Sequence, residues 1–381
     1  HILQRAAESV FLSLGSQIGY YQGNILKLPE DFIALKPTLL TSVPRVLDRL
    51  YDKLTSTVNS ASNFRKNLFA KALNSKKKAQ GGRTFIWDAL VFKKVRATLG
   101  GKVRGILCGG APLRPEVQET LACALCCPIF QGYGLTETCA AGTLQIPGDF
   151  TFSNVGCPLA SMEIKLLSVP EMDYNADAEV PTGEVLMRGP AVSQGYFKDP
   201  VKTAEEFDAD GFFHTGDIGR WNPNGTLSII DRKKALFKLS QGEYISPEAL
   251  EAKFSTSPFV SRVWVYGNSL KSVLVAVGVI DKAQTLRLAQ EAQLENATEE
   301  KFAELIAGAA FKNLVLKSFD AIAVDQKLQG FEKIKDIRFV TEDFDIIDCV
   351  TPTQKLQRNK LQKHFQQQID EMYAELEKPQ Q

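Results

Sequence analysis

Histidine, serine-nucleophile motifs and long apolar runs are scarce in this sequence, and each scarcity removes a class of function. Three histidines occur among the 381 residues, too few for a histidine-rich metal centre. No GxSxG sequence is present, so the turn that exposes the nucleophile of a serine hydrolase has no candidate. The longest uninterrupted apolar run, 273–280, has eight residues, whereas a transmembrane helix needs roughly 20. The sequence therefore predicts no transmembrane helix in these residues.

The seven cysteines follow no regular framework. An odd number without even spacing is typical of a reducing compartment, so we expect an intracellular protein, cytoplasmic or membrane-associated. Cys123, Cys126 and Cys127 form the tightest group and include a CxxC, but neither a second pair nor a nearby histidine completes a zinc site. Buried thiols on a helix are the favoured interpretation, with metal binding as the alternative.

Charge is balanced over the whole chain but not within it. The formal net charge is +1, so no overall field favours nucleic acid as a partner. Residues 65–104, in contrast, contain twelve Lys or Arg and a single acid, Asp88. Such a segment is either a surface for anionic lipid or a phosphorylated ligand, or a pair of helices whose charges are solvated.

Strand-like and helical runs alternate in the first half of the chain. Residues 103–108 read as a buried strand that stops at GGAP (109–112), and a helix is expected over 115–127. A short apolar run, 128–130, then leads into QGYGLTET (131–138). This order predicts a parallel β-α-β unit, whose ligands lie beyond the carboxyl ends of the strands.

The pattern changes after Asp231. Before it, Ser42 is expected to cap a helix, Thr215-Gly216-Asp217 reads as a polar turn, and a small β subdomain is predicted from three strand-like runs, 162–168, 184–188 and 226–230. After it, a helix beginning at Ser246-Pro247, a hairpin within 260–280 and further helices predict an α+β module. Because 381 residues exceed the size of a single core, we expect two domains that meet at 231–234.

QGYGLTET combines an aromatic ring, a hydroxyl and a carboxylate in a glycine-flanked turn. Tyr133 can stack on a planar ring, Thr136 can donate to a phosphate oxygen, and Glu137 can hold a hard cation. The same residues also suit the capped start of a helix, so the turn alone leaves both interpretations open.

Six sequence blocks together resemble the adenylate-forming acyl-CoA synthetase family. They occur in the family's order and spacing: CGGAPL (108–113), QGYGLTET (131–138), GEVLMRGPAVSQGYF (183–197), HTGDIGRW (214–221), DRKKALFKLSQGEYISPEALE (231–251) and TPTQKLQR (351–358). FKLSQGEY and TPTQKLQR are most similar to its long-chain fatty-acid branch. The resemblance implies an α/β fold, with the later part of a large AMP-binding domain in 1–231, built from a parallel sheet and a small β subdomain. A small, mobile α+β domain would occupy 232–381.

The resemblance also implies a long-chain fatty acid–CoA ligase that uses ATP, Mg²⁺ and coenzyme A. A nucleotide site would comprise residues of four blocks, with Glu137 as the Mg²⁺ ligand: Gly110, Ala111, Pro112, Gln131, Gly132, Tyr133, Gly134, Thr136, Asp217 and Arg232. Lys355 would be the catalytic lysine of the first half-reaction, in which the acid is joined to AMP, and Thr136 and Glu137 would assist it. Lys234 would be the hinge between the domains, and Lys238 and Gly242 would border the path of coenzyme A.

Two features keep alternatives open. The family's Ser/Thr/Gly-rich phosphate loop is not found, and the resemblance implies that it and much of the acid tunnel lie upstream of His1. A ligase for an aryl, medium-chain or amino acid is therefore an alternative. A non-catalytic nucleotide- or lipid-binding module derived from the family is another.

Overall fold

The computed structural model describes residues 1–24, 27–82, 84–233, 236–241, 243–351 and 355–377, and for Asp231 the backbone alone. Residue contacts divide the chain into two compact units, His1–Ile229 and Ile230–Gln381. The assignment of functional domains to 1–231 and 232–381 stays a prediction. Within the described ranges, no helix is both long and apolar enough to cross a membrane.

A mixed sheet forms the centre of the first unit. Its strands follow one another in chain order: β1 Leu39–Ser42, β2 Gly105–Cys108, β3 Ile129–Tyr133, β4 Thr143–Leu144 and β5 Cys157–Pro158. The first three are parallel, whereas β4 and β5 run antiparallel. Helix α7, Pro115–Leu125, connects β2 to β3 and packs on Ile106 and Ile129 in one core. The predicted β-α-β unit is thus confirmed.

The first unit contains seven further helices among the described residues. They are α1 Ile2–Ser13, α2 Leu28–Leu35, α3 Pro44–Asn59, α4 Asn63–Lys78, α5 Phe85–Leu90, α6 Phe92–Ala97 and α8 Pro200–Glu206. The prediction that Ser42 caps α3 is wrong, because Ser42 ends β1 and Val43 occupies the capping position. Pro44 begins α3, where its missing N–H costs no helical hydrogen bond.

A second, antiparallel sheet corresponds to the predicted β subdomain. Its order is β6 Glu163–Leu167, β7 Thr182–Arg188, β8 Phe213–Trp221 and β9 Leu227–Arg232. The interpretation of Thr215-Gly216-Asp217 as a turn is wrong, since these residues lie inside β8. The register between β7 and β8 shifts between Glu184 and Leu186. Gly216 has φ +67°, a value that glycine adopts without strain, so β8 can bend there without ending.

The second unit is the predicted α+β module. Its strands are β10 Phe237–Lys238, β11 Tyr244–Ile245, β12 Arg262–Tyr266, β13 Leu274–Val279 and β14 Ile334–Val340. Its helices are α9 Pro247–Phe254, α10 Lys282–Glu291, α11 Phe302–Ala307, α12 Ala309–Asp325, α13 Arg358–His364 and α14 Gln366–Leu376. β12 and β13 form the predicted hairpin, and β14 joins parallel to β13. β13 is buried along its whole length because apolar clusters cover both faces.

Candidate functional site

Two polar turns lie side by side at the carboxyl ends of β2 and β3. Cys108, the last residue of β2, is paired with Gln131 in the middle of β3. The segment after β2 is tied to β3, since the backbone N–H of Leu113 donates to Oε1 of Gln131 at 3.2 Å. The turn before it contains Gly110 at φ +90°, with Ala111 and Pro112 exposed. This is the edge at which parallel sheets bind ligands.

A buried network of amide side chains holds this edge in place. Gln131 donates through Nε2 to Gln118 at 2.8 Å, and Gln118 donates in turn to Gln145 at 2.7 Å. Gln145 accepts from the backbone N–H of Gln131 and donates to Asn154. Because each amide is satisfied inside the protein, Gln131 acts here as a brace for the neighbouring turn.

The loop after β3 requires glycine at its start. A Cβ atom on Gly134 would lie 1.6 Å from the carbonyl oxygen of Ala140, far inside van der Waals contact. The loop is closed by Thr138, which is fully buried and whose Oγ1 accepts from the N–H of Leu135 at 2.9 Å. Thr136, one of the predicted phosphate contacts, is exposed on this closed loop.

Asp217 is directed into the first unit by β8. Asp217 is 4% exposed, and its Oδ2 accepts a hydrogen bond from the hydroxyl of Tyr133 at 2.6 Å. Thr215 fixes the backbone beside it, because its hydroxyl donates to Val185 O at 2.7 Å and accepts from the N–H of Asp217 at 3.1 Å. A predicted adenine contact and a predicted ribose acceptor, from different sheets, are therefore in direct contact.

Glu137 is held by a residue that the sequence reasoning missed. The hydroxyl of Tyr196 donates to its Oε1 at 2.8 Å, and the backbone N–H of Ser193 donates to its carbonyl oxygen at 2.7 Å. Burial and the bond to Glu137 raise the pKa of Tyr196, so the hydroxyl keeps its proton and remains a donor. Ser193 and Tyr196 both belong to the block GEVLMRGPAVSQGYF, but nothing in the sequence of that block indicates that it contacts QGYGLTET.

The described residues offer a carboxylate for a cation, but no metal cluster. Among them, no group of three His, Cys, Asp or Glu side chains is arranged to hold a metal ion. Mg²⁺ needs less, since it commonly uses one or two carboxylates together with substrate phosphates, and Glu137 fits that requirement. Cys123 and Cys127 are buried, and burial raises their pKa values to about 11 and about 12. Their thiols are therefore poor ligands and nucleophiles near neutral pH.

Lys355 lies in the second unit and is bonded to Thr351. The N–H of Thr351 donates to the carbonyl of Lys355 at 2.8 Å, and the N–H of Lys355 donates to Oγ1 of Thr351 at 3.1 Å. Val350 and Leu356 form a β-bridge on either side. Three residues further on, Arg358 makes a bidentate pair with the buried Glu251.

The remaining predicted residues of the second unit are partly described. Arg232 is exposed at the end of β9, and the ammonium of Lys238 lies 5.2 Å from the centre of the Tyr244 ring. Lys234 and Gly242, the predicted hinge and tunnel residues, lie outside the described residues.

Comparison with known proteins identifies the family. The sequence profile of the AMP-binding enzyme family matches residues 1–197, more than half of the chain. The chain belongs to the AMP-binding enzyme family. The predicted α/β fold is confirmed by the adenylation domain of a carboxylic acid reductase from Segniliparus rugosus, solved with AMP and a co-purified carboxylic acid. That structure is 27% identical, with a TM-score of 0.70 over 94% of this chain and 50% of that chain.

Curated relatives cover almost the whole sequence. Fatty acyl-CoA synthetase A of Dictyostelium discoideum is 48% identical over 98% of this chain and 57% of its own length. Long-chain-fatty-acid–CoA ligase 1 of Homo sapiens is 41% identical over 98% of this chain and 53% of its own length. Long chain acyl-CoA synthetase 7, peroxisomal, of Arabidopsis thaliana is 41% identical over 99% and 54%. The chain spans about half the length of the curated relatives it matches.

Proposed function

We propose that this chain provides the later part of the adenylating domain and the small domain of a long-chain fatty acid–CoA ligase. The relatives named as acyl-CoA synthetases support the substrate class. The observation that carries the proposal is the buried carboxylate of Asp217, which accepts from the hydroxyl of Tyr133 at the ligand-binding edge of the sheet. This pair supplies an aromatic face and an acceptor-only group, as adenine and a ribose diol require.

The proposed reaction has two steps. In the first, a carboxylate oxygen of the fatty acid forms a bond to the α-phosphorus of ATP, and the bond from that phosphorus to the bridging oxygen breaks, releasing pyrophosphate. In the second, the thiolate sulfur of coenzyme A attacks the acyl carbon, and AMP leaves with the bonding electrons. The mixed anhydride is needed because a free carboxylate would have to expel oxide, which is a poor leaving group.

Residues of the first unit would bind and orient the nucleotide. Gly110–Pro112 and Tyr133 would enclose the adenine, and Asp217 would accept from the ribose hydroxyls. Thr136, exposed on its closed loop, would donate to the α-phosphate. Glu137, oriented by Tyr196, would hold Mg²⁺, which would neutralise phosphate charge when bound.

Residues of the second unit would act at different stages. The ammonium of Lys355 would stabilise the negative charge that develops on the carboxylate and α-phosphate oxygens during adenylation. Arg232 would contact the ribose. Lys234 would serve as the hinge for a rotation of the small domain after adenylation. The rotation would withdraw Lys355 and present Lys238 and Gly242, which would border the path of coenzyme A.

Replacing Lys355 by Ala in the complete gene product tests this assignment. Pyrophosphate release with palmitate and ATP is expected to fall by about two orders of magnitude or more, as for loss of one electrostatic contact to a transition state. Thioester formation from preformed acyl-AMP and coenzyme A is expected to change little. Lys360→Ala is the control, since Lys360 is nearby but pairs with Asp348. Equal loss of both half-reactions would contradict the role of Lys355.

The same assay separates the alternatives. An aryl, medium-chain or amino acid that releases pyrophosphate faster than palmitate would replace the long-chain assignment. Binding of ATP or palmitate without pyrophosphate release from any acid would favour the non-catalytic module.

We further propose that helices α5 and α6 contact an anionic membrane surface. Phe85, Ile86 and Leu90 are exposed on α5, with 77% of Phe85 accessible, and Lys93 and Lys94 are exposed on α6. Apolar side chains that enter the interface beside cations that meet lipid phosphates are the combination expected of an interfacial helix. Each lysine near an anionic surface contributes about 1 kcal/mol.

Vesicle sedimentation tests the membrane contact. The protein is expected to sediment with phosphatidylcholine vesicles containing phosphatidylserine, and less with phosphatidylcholine alone. The double variant Ile86→Ser, Leu90→Ser should abolish the difference in sedimentation between the two kinds of vesicle. Leu270→Ser, at an 84% exposed site of the second unit, should not. If all variants sediment equally, the membrane contact is refuted, and the charges of the basic segment are solvated on the surface of its helices.

A further inference from the structure

We propose that Glu251 is a positioning residue for Lys355: by binding Arg358, it fixes the position of the backbone at Thr351 and Lys355. The proposal rests on the proposed role of Lys355 in adenylation. It concerns contacts within the second unit.

The first step is that the two ends of the lysine loop, Thr351 and Lys355, are held together at the base of the loop. Val350 and Leu356 form a bridge, and the backbone N–H of Gln357 donates to the carbonyl of Cys349 at 2.9 Å. The side chain of Gln357 adds a bond to Val350 O at 2.7 Å. Thr351 and Lys355 are also bonded to each other, so the backbone of Lys355 is held to the base by three successive pairs of residues.

The second step is that the base is anchored through Arg358, the first residue of α13. Its two terminal nitrogens donate to the two oxygens of Glu251 at 2.9 and 2.8 Å. The same carboxylate accepts from the backbone N–H of Val265 at 2.9 Å. The side chain of Glu251 thus connects three elements, α9, β12 and α13. Its partner Arg358 lies three residues after Lys355.

The third step is that a buried ion pair is an expensive way to stabilise a fold. Well-packed apolar side chains often stabilise as much, because two charges must lose their hydration. A planar guanidinium on a carboxylate, however, fixes both distance and orientation, which apolar packing does not. The 8% exposure of Glu251 and its two parallel bonds to Arg358 therefore indicate control of geometry.

The carboxylate also gives the anchor a pH dependence. Burial raises the pKa of Glu251 to about 7, while Arg358 and the N–H of Val265 act to lower it and Glu248 to raise it. Protonation removes the negative charge that holds Arg358. The anchor is therefore strongest above pH 7 and weakens as the pH falls through that value.

The test compares the two half-reactions in Glu251→Gln in the complete gene product, where Gln keeps the shape but not the charge. Displacement of a catalytic group by about 1 Å costs up to roughly 100-fold, so the kcat of pyrophosphate release should fall roughly 10- to 100-fold. The KM for ATP should change less than about twofold, and so should the rate of thioester formation from preformed acyl-AMP. A change of that size is far smaller than the tenfold that corresponds to 1.4 kcal/mol. The fall in adenylation below pH 7 should disappear in the variant.

Controls separate positioning from general damage. Asp336→Asn removes the charge of another buried carboxylate of the same unit, which lies on β14 and is bound by Lys312, Arg338 and the N–H of Ile337. It should leave the ratio of the two half-reactions unchanged. If Glu251→Gln does not fold, Arg358→Lys replaces it, because a single ammonium cannot form the bidentate contact.

The outcomes are distinguishable. Equal loss of both half-reactions in Glu251→Gln, or an unaltered pH profile, would overturn the positioning role. If Lys355→Ala blocks adenylation while Glu251→Gln does not, the proposed function stands and this inference fails. If Lys355→Ala has no effect, the proposed function itself fails.

Discussion

Replacing Tyr133 by Phe tests the hydrogen bond that joins the two sheets of the first unit. The hydroxyl lies 2.6 Å from Oδ2 of Asp217, which is 4% exposed. Phe keeps the ring and its packing, so the change removes the donor alone. A hydrogen bond to a charged group contributes about 1.5–3 kcal/mol, and the buried carboxylate loses that donor. The free energy of opening of β8 should therefore fall by about 1.5–3 kcal/mol.

Hydrogen exchange followed by mass spectrometry measures this effect without any ligand. Since 1.4 kcal/mol corresponds to a factor of ten, amides of peptides from β8 should exchange roughly 10- to 140-fold faster in the variant. Tyr20→Phe is the matched control, because Tyr20 is 71% exposed. Unchanged exchange in β8, or the same acceleration in the control, would refute the reasoning. In Asp217→Asn, the further effect of Tyr133→Phe should be smaller, since the acceptor is no longer charged.

Three further predictions concern stability. Gly134→Ala should lower the free energy of unfolding by about 3 kcal/mol or more, measured by urea denaturation, because its Cβ meets the backbone oxygen of Ala140. Asp88→Asn should cost about 3–5 kcal/mol in the same assay, because Lys76 is 1% exposed and pairs with Asp88 at 2.8 Å. Burial opposes ionisation of Asp88, but the bond from Lys76 and its other hydrogen bonds lower its pKa, so its stabilisation should be lost as the pH falls below about 3.9. Glu251 should act in the opposite sense on the free energy of unfolding: burial raises its pKa from 4.5 to about 7, so that free energy should fall as the pH rises from 4.5 through 7, because the ionised form is costly to bury. The contact with Arg358 nevertheless strengthens over the same range, and Glu251→Gln should remove the slope.

Local patterns were sufficient for most of the fold. The β-α-β unit and the hairpin of β12 and β13 were predictable because apolar spacing and glycine-rich turns mark such elements directly. Strand β8 was not, because Thr215-Gly216-Asp217 has the composition of a turn. A glycine at positive φ and a register shift let the strand continue through a sequence that would end most strands. Ser42 was misread for a related reason, since a serine before Pro44 suits a helix cap as well as a strand end.

The contacts within the candidate site could not be predicted from the sequence. Tyr133 and Asp217 are 84 positions apart, and Glu137 and Tyr196 are 59 apart. Nothing in either block indicates its partner, because the approach of two sheets depends on packing across the whole unit. The resemblance to a family supplied expected roles for Tyr133, Glu137 and Asp217, but no partner for Glu137. Tyr196 therefore became visible only in the structure.

Four carboxylates of this chain differ in the kind of donor that holds them. Asp88 and Glu251 are bound by cations, Lys76 and Arg358, which neutralise as well as orient. Asp217 and Glu137 each accept from a tyrosine hydroxyl. A neutral donor orients a carboxylate without cancelling its charge, which suits the contacts proposed for Asp217 with a diol and for Glu137 with a cation.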